Sequence, residues 1–317
     1  MAGRQINPKL IHALTNQDLA TIPLSPTFKY LKGTYVKSIT DNREKIISGT
    51  PKNEVMLQCK HCNQKGKYNV GTLYINIDEK NENTRKTAQK MQMTGYFRCK
   101  HCNTAGEWED SSELYMMGIA ALLTPNLENN FVQFGEMQLF DGTKPKYCTD
   151  GEEHLLNKIA AAPNNALLWN KLGNLYSIGA RPELAMAAFE KSIEIDPNQT
   201  ESHFSMANIL MDIKDYSNSL HHLHQMILAA EHYKHIEANH LRDLLAHAIC
   251  SSFIINAESK GRLPALPTQE QLDAIGKDVN LATEQLIAGI ELSSDDLTSF
   301  YPLAEAFMGK RAQELLK

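Results

Sequence analysis

Residues 165–198 read NALLWNKLGNLYSIGARPELAMAAFEKSIEIDPN, and this stretch decides the fold of the second half of the chain. Its apolar residues recur with the period of a helix on either side of a short turn. Gly173 and Ala185 are small where two paired helices must approach closely, whereas Trp169 and Phe189 are large enough to fill the space beside them. The stretch therefore predicts a helical hairpin, ended by the proline near its close.

The order and spacing of these landmarks resemble the tetratricopeptide repeat, a helix-turn-helix unit of about 34 residues. The residues that carry the resemblance are Trp169, Leu172, Gly173, Tyr176, Ala185, Phe189 and Pro197. Two departures affect the turns. The glycine of the first turn falls at Gly179, one residue before its usual place, and Lys214 replaces the glycine of the second turn.

The resemblance is specific over 165–198 and weak over 152–164 and 199–233, where a lone helix from Glu152 to Ala162 and a degraded second repeat are expected. A repeat unit cannot bury its apolar face alone, so it needs neighbours. Helical periodicity predicts three further helices that supply them, at Ala238–Asn256, Thr268–Leu292 and Ser294–Leu316.

The resemblance implies a concave groove, lined by the first helix of each repeat, that accepts a protein or peptide partner. Asn174 and Asn208 are 34 residues apart, and members of the family often use an asparagine at this position to hydrogen-bond a peptide backbone. Asn170, Lys171, Asn174 and Asn208 are therefore the predicted peptide contacts. The alternative is that they are ordinary solvated polar residues.

A second motif occurs twice in the first half of the chain, as CKHCNQKGKY from Cys59 and CKHCNTAGEW from Cys99. Two cysteines separated by two residues can present both thiolates to one ion, and a glycine shortly afterwards is expected to supply the positive φ of the turn. Two such knuckles predict one structural Zn²⁺ held by Cys59, Cys62, Cys99 and Cys102.

Two alternatives to this zinc site stay open. One is that the cysteines are reduced and unliganded or form a redox pair, and the other is that His61 or His101 replaces one thiolate. A catalytic zinc is disfavoured because four thiolates leave no open coordination position.

The segment between the knuckles predicts strands at Asn69–Ile77 and Met91–Arg98, joined by an exposed polar loop at Asp78–Lys90. After the second knuckle, Asp110 is the expected N-cap of a helix that runs from Leu114 to Leu123 and seals the ribbon. A short strand is expected at Phe131–Phe134, within a series of turns that extends to Asp150-Gly151.

The predicted fold class is mainly α with a small β zinc ribbon, in which an N-terminal four-cysteine ribbon precedes a short tetratricopeptide-like solenoid. The expected divisions are an N-terminal segment packing on the ribbon (1–50), the zinc ribbon (51–110), a capping helix and linker (111–150) and the helical domain (151–317).

Charge separates the two halves of the chain. Residues 1–110 carry a net charge of +7, whereas the whole chain carries −5. Within the ribbon, basic side chains predict a surface that can contact nucleic acid, although a net charge of +3 over 51–110 is low for a surface dedicated to phosphates. The candidates are Lys60, Lys65, Lys67, Arg98 and Lys100. The alternative is a solvated face.

Other features narrow the class of protein. No apolar stretch is long enough for a bilayer, and the N-terminus lacks the plan of a signal peptide, so a cytoplasmic protein is expected. Glycine-rich phosphate loops, G-x-S-x-G and H-E-x-x-H are absent, which favours a protein that is not an enzyme.

Cys148 and Cys250 are expected as free thiols, and histidine pairs such as His221/His224 and His232/His235 offer only an incomplete second metal site.

These features predict a non-catalytic, zinc-binding adaptor that makes protein–protein contacts through a tetratricopeptide-like groove. The alternative function is a zinc-ribbon regulator that binds DNA or RNA and uses its helical half for dimerisation or for receiving a signal.

Overall fold

A computed structural model describes residues 5–47, 51–76, 91–109, 111–124, 131–274, 276 and 291–316. Internal contacts divide the chain into two compact units, 1–191 and 192–317. This division falls later than the boundary that was expected near residue 150. The first unit therefore combines the cysteine-containing region with most of the first helical repeat.

The cysteine region is built on two small sheets. Strands β1 (Glu54–Gln58) and β2 (Lys65–Asn69) form an antiparallel hairpin across the first knuckle. Strand β3 (Leu73–Ile75) pairs antiparallel with β4 (Gln92–Met93) and parallel with β5 (Val132–Phe134). The short strand expected near residue 131 is therefore confirmed as the edge of the second sheet.

The strand expected over Asn69–Ile77 is interrupted in its middle. Gly71 has a φ of +66°, a left-handed conformation that ends β2 and redirects the chain before β3 begins. The strand expected over Met91–Arg98 is reduced to β4, at Gln92–Met93. The predicted loop Asp78–Lys90 lies outside the described residues.

Helix α3 (Ser112–Leu123) covers the cysteine region, as predicted. Leu114 and Ala121 join its apolar core together with Val55, Leu57 and Tyr68. The N-cap is Ser111, whose hydroxyl accepts the Leu114 N–H, whereas Asp110 lies outside the described residues.

The N-terminal segment contains helices α1 (Pro8–Thr15) and α2 (Val36–Asp41), and it contacts more than the cysteine region. The Asn103 side chain donates to two of its carbonyls, which is the expected contact. In addition, the Glu190 carboxylate accepts the Tyr35 N–H at 2.9 Å, and Arg43 lies 3.7 Å from the Glu183 carboxylate. The segment therefore also braces the helical repeat.

The first repeat follows, with helix α4 (Cys148–Ala161) preceding the pair α5 (Ala166–Ile178) and α6 (Pro182–Ile195). Helix α4 starts four residues before the predicted Glu152. Gly151, which was expected in a turn, lies within it, where a Cβ would stand 3.2 Å from Leu175 of α5. Gly173 confirms the expected close approach, because a Cβ there would overlap the Phe189 ring.

The second unit begins with α7 (Thr200–Asp212) and α8 (Tyr216–Ala229), whose bounds are those of α5 and α6 displaced by 34 residues. The degraded second repeat is therefore a complete helical hairpin. Helices α9 (Ala238–Glu258), α10 (Gln269–Ala274) and α11 (Tyr301–Met308) follow. In the parts of the chain that the structure describes, no helix is long and apolar enough to cross a membrane.

The predicted tail helices are confirmed only in part. The helix expected over Ala238–Asn256 is present, but the one expected over Ser294–Leu316 is divided. Its α-helical part ends at Gly309, whose φ of +55° breaks the helix, and short 3₁₀ segments flank it. The predicted helix Thr268–Leu292 is described at Gln269–Ala274, and most of the remainder lies outside the described residues.

The turns of the two repeats share one backbone conformation. Ala180 and Lys214, also 34 residues apart, have φ values of +57° and +63°. This is the place where the repeat usually has glycine, so both residues carry some backbone strain. Gly179 has a different role, because a Cβ there would lie 2.7 Å from the Cβ of Tyr96 in the cysteine region.

Candidate metal centre

The two knuckles have the same backbone geometry. In the first, Cys59 N–H donates to the Gln64 carbonyl and Asn63 N–H donates to the Cys59 carbonyl. The second repeats both bonds, from Cys99 to Thr104 and from Asn103 to Cys99. The turns close through the asparagines, which have φ values of +58° and +59°. The expectation that the following glycines supply the positive φ is wrong.

The four sulfur atoms converge on one point. All four lie within 4.8 Å of one another, with Cys59 Sγ 3.8 Å from Cys102 Sγ and Cys62 Sγ 3.6 Å from Cys99 Sγ. A tetrahedron with zinc–sulfur bonds of about 2.3 Å has edges of about 3.8 Å. The predicted four-cysteine cluster is therefore confirmed, and its geometry fits one tetrahedral metal ion.

Aromatic rings close the inner side of the cluster. Tyr68 lies 4.7 Å from Trp108 and 5.6 Å from Phe97, measured between ring centroids, and all three rings are buried. The Tyr68 hydroxyl accepts the Lys100 N–H at 3.1 Å, and Trp108 forms a β-bridge with Cys59. The aromatic residue after each glycine therefore joins the two knuckles.

The proximity of the thiols opposes their simultaneous ionisation. Burial and the neighbouring cysteines raise the pKa of Cys59. A backbone hydrogen bond from Gln64 lowers the pKa of Cys62, but burial and the other sulfurs outweigh it and raise the pKa to about 12. Burial acts in the same direction at Cys102, yet hydrogen bonds from Thr104 and the other thiols lower its pKa to about 6. A divalent cation would supply the positive charge that four thiolates require.

The predicted basic surface is reduced by one residue. Lys60, Lys65, Lys67 and Lys100 are exposed around the knuckles, as are His61 and His101. Arg98 is buried instead, because its guanidinium donates to Glu152 at 3.0 Å and to the Asn103 carbonyl at 2.9 Å. The prediction of Arg98 as a nucleic-acid contact is therefore corrected to a structural role.

The predicted peptide contacts differ in their exposure. Asn170 is fully buried, so a peptide has no access to its amide, and this candidate is also corrected. Lys171 and Asn174 are half-buried, and the Asn174 amide donates to Asn170 at 3.3 Å. Asn208 is exposed and occupies the same position in α7 as Asn174 occupies in α5.

The histidines do not form a second cluster of this kind. Among the residues that the structure describes, the cysteine quartet is the only group of three or more potential ligands close enough to share an ion. His203 and His222 instead meet directly, with their Nδ1 atoms 2.9 Å apart in the core of the second unit. Cys148 and Cys250 are free thiols, as predicted.

Sequence reasoning missed the residue that joins the knuckle to the helices. Glu152 is fully buried in α4 and accepts hydrogen bonds from Tyr96 at 2.9 Å, Arg98 at 3.0 Å and Tyr176 at 2.7 Å. The one available signal was the tyrosine at position 176, because a phenolic hydroxyl that is buried between helices needs a partner.

Comparison with known proteins agrees with the helical geometry. Residues 166–199 match the family model of the tetratricopeptide repeat. Searches of curated proteins and of solved structures gave no match to the chain.

Proposed function

We propose that this protein is a non-catalytic, cytoplasmic adaptor whose ribbon is held by one structural zinc ion and whose helical repeats bind a protein partner. The observation that carries this function is the repeat at 166–199, because repeats of this kind act in protein–protein contact. Four converging sulfurs support zinc, which thiolates hold in closed tetrahedral sites. A closed site favours a structural ion over a catalytic one.

Asn174 and Asn208 are the proposed partner contacts. Both are accessible at least in part, and both lie at the ninth position of the first helix of a repeat. An amide at this position can donate to and accept from a peptide backbone, which allows recognition without a particular side chain.

The test uses the tagged full-length chain to retain partner proteins from a lysate of its host. Asn174→Ala and Asn208→Ala should each reduce the retained amount of the same protein. The matched control is Asn164→Ala, an exposed asparagine in the loop before α5, which should leave retention unchanged. Equal retention by all three variants would exclude Asn174 and Asn208 as partner contacts.

Nucleic-acid binding is the second candidate function, and it is favoured by the four exposed lysines around the knuckles. Lys60 and Lys100 are equivalent in the two halves of the motif, since each follows the first cysteine of its pair. The lysines have an alternative role, which is to balance charge. One Zn²⁺ with four thiolates leaves two negative charges, and the lysines can offset them.

A salt series separates these roles. If the lysines contact phosphates, the affinity of the full-length protein for labelled single-stranded RNA or DNA falls steeply with salt. Replacing one contacting lysine with glutamine should reduce the slope of log K against log salt by about 0.7. If the metal-loaded protein does not bind this nucleic acid even at low salt, only the charge-balancing role remains for the lysines.

A further inference from the structure

A buried polar network connects the second knuckle to the first helical repeat. At its centre is Glu152, which is fully buried. One carboxylate oxygen accepts the hydroxyls of Tyr96 and Tyr176, and the other accepts Arg98 and the Asn7 amide, both at 3.0 Å. We call these five residues the Glu152 network.

The knuckle side of the network lies directly beside the metal ligands. Arg98 precedes Cys99, and its Nε donates to the carbonyl of Asn103, the residue that follows Cys102. The Asn103 amide in turn donates to the carbonyls of Ile6 and Leu24 at 2.8 and 2.7 Å. The knuckle thereby positions both the guanidinium that reaches Glu152 and the chain that carries Asn7.

The helical side of the network is equally closely joined to the ribbon. Tyr96 N–H donates to the Gly179 carbonyl at 3.1 Å, in the turn between α5 and α6. The Thr149 hydroxyl of α4 donates to the Ala105 carbonyl, also at 3.1 Å. Arg181 lies over the Tyr96 ring at 4.9 Å and donates to the Gln5 carbonyl at 2.7 Å.

A buried carboxylate is stable only while its donors stay in place, because removing one partner leaves a charge uncompensated away from water. Three of the four donors to Glu152 come from the residues that lead into the second knuckle, Tyr96 and Arg98, or from the N-terminal segment that Asn103 holds, Asn7. If the thiolates lose their ion, residues 98–103 lose the coordination that fixes them, and with it the position from which Arg98 donates to Glu152.

We infer that occupancy of the cysteine site controls the folding of the first helical repeat through the Glu152 network. Metal loss opens α4 and α5 together with the ribbon, so the repeat is available to a partner only in the metal-loaded protein. The inference rests on the proposed metal and adaptor functions, and it adds a means of regulating the binding surface.

Hydrogen exchange of the full-length protein tests the inference, with and without a zinc chelator. On chelation, amides of α4 and α5 should exchange about tenfold faster or more, in parallel with those of β1 and β2. Helices α8 and α9, in the second unit, serve as the internal reference and should change far less. Faster exchange in the ribbon with unchanged protection in α4 and α5 would overturn the inference.

Reciprocity supplies a second measurement. If the repeat is folded only when the metal is bound, a substitution that destabilises the folded repeat must lower the affinity for the metal, because it costs the metal-bound state and not the opened metal-free state. Tyr176→Phe removes one hydroxyl from Glu152 at the end farthest from the knuckle and preserves the ring. Its zinc affinity, measured by competition with a chromophoric chelator, should fall by about fivefold or more.

The matched control is Tyr74→Phe, which removes a hydroxyl from β3 within the ribbon and outside the Glu152 network. It should leave zinc affinity unchanged. Equal affinities for Tyr176→Phe and the unaltered protein would overturn the inference, as would equal losses in both variants. Neither measurement needs a partner, so the coupling and the adaptor function can fail independently.

Discussion

Asn63 and Asn103 occupy equivalent positions in the two knuckles, one residue after the second cysteine of each pair, but their side chains differ in role. Both adopt the left-handed conformation that closes the turn. Asn63 is exposed, whereas Asn103 is buried and donates to two carbonyls of the N-terminal segment. The pair therefore separates the contribution of the backbone from that of the side chain.

Glycine at each position should show this difference. Asn63→Gly keeps the left-handed turn and should change the free energy of unfolding by no more than about 0.5 kcal/mol. Asn103→Gly keeps the turn but leaves two carbonyls without their donor, which should cost about 1–3 kcal/mol. Urea unfolding of the metal-loaded protein measures both values, and similar effects at the two sites would contradict the assigned roles.

The ligands can be tested in the same way. Cys99→Ser should reduce the bound zinc from one ion to about none per chain, because three thiolates and a hydroxyl bind zinc far more weakly than four thiolates. Elemental analysis of the purified protein measures this. Cys250→Ser is the control, since this thiol lies in the second unit, and it should retain the full zinc content.

The four-cysteine cluster was predictable from sequence because a C-x-x-C pair is a local pattern. The role of Arg98 was not, since as a basic residue beside a cysteine it has the same appearance as Lys60. Its burial depends on Glu152, which is 54 residues away. Asn170 was misassigned for a similar reason, because the sequence shows its place on a helix but not which face the neighbouring helices cover.

Helices α5 and α6 illustrate how a repeat is specified at the level of elements. Both pairs, α5 with α6 and α7 with α8, have the same lengths and have a left-handed residue at the same position of the turn. Glycine is absent from that position in both, so backbone strain is tolerated there. The close contact of Gly173 with Phe189 is therefore the more stringent requirement of the first pair.

Gly173→Ala should destabilise the first unit by about 1–3 kcal/mol, because the added methyl group overlaps the Phe189 ring. Trp169 lies in the same helix, so its fluorescence during urea unfolding provides the measurement. Gly106→Ala is the control, because a Cβ there has no neighbour within 4 Å. A loss of stability in the control equal to that in Gly173→Ala would contradict the packing argument.

Periodicity predicted the bounds of the helices well within the two 34-residue repeats and poorly outside them. The hairpins at 166–195 and 200–229 follow the 34-residue spacing. The start of α4 was missed because Asp150-Gly151 is typical of a turn, whereas Gly151 in fact allows α5 to approach. The last helix is divided at Gly309 by its φ of +55°, and the Glu231 carboxylate leaves no space for a Cβ there.

The whole molecule consists of two units that should respond to different treatments. Chelation acts on the first unit, which contains the cysteine cluster. The second unit buries His203, His222 and His224, for which burial lowers the pKa to about 4, 3 and 4 respectively. Both tryptophans, Trp108 and Trp169, belong to the first unit, so their fluorescence distinguishes the two.

Acid should therefore destabilise the second unit. The unfolded chain takes up protons near the ordinary histidine pKa of 6.5, whereas the folded unit resists protonation. Stability is thus fully present above about pH 6.5 and is lost as the pH falls towards about 4, by about 1 kcal/mol per pH unit for each histidine. Urea unfolding followed by far-ultraviolet circular dichroism, with tryptophan fluorescence as the reference, measures the slope.

Replacing both members of the histidine pair, His203→Gln with His222→Gln, should remove most of this slope. His240→Gln, at an exposed position, should preserve it. A second unit whose stability is the same at about pH 7 and about pH 5 would contradict the assignment of these histidines as buried and neutral.

The position of Glu152 in the chain also has a consequence for synthesis. All four cysteines leave the ribosome before it, so a nascent chain can acquire its ion while Arg98 still has no carboxylate, since Glu152 follows 54 residues later. Arg181, which joins the helices to Gln5, emerges later still, 176 residues after its partner. While the residues between Cys102 and Arg181 are being synthesised, the growing chain therefore exposes the most surface that has not yet found its packing partner. Slow translation of this stretch favours aggregation.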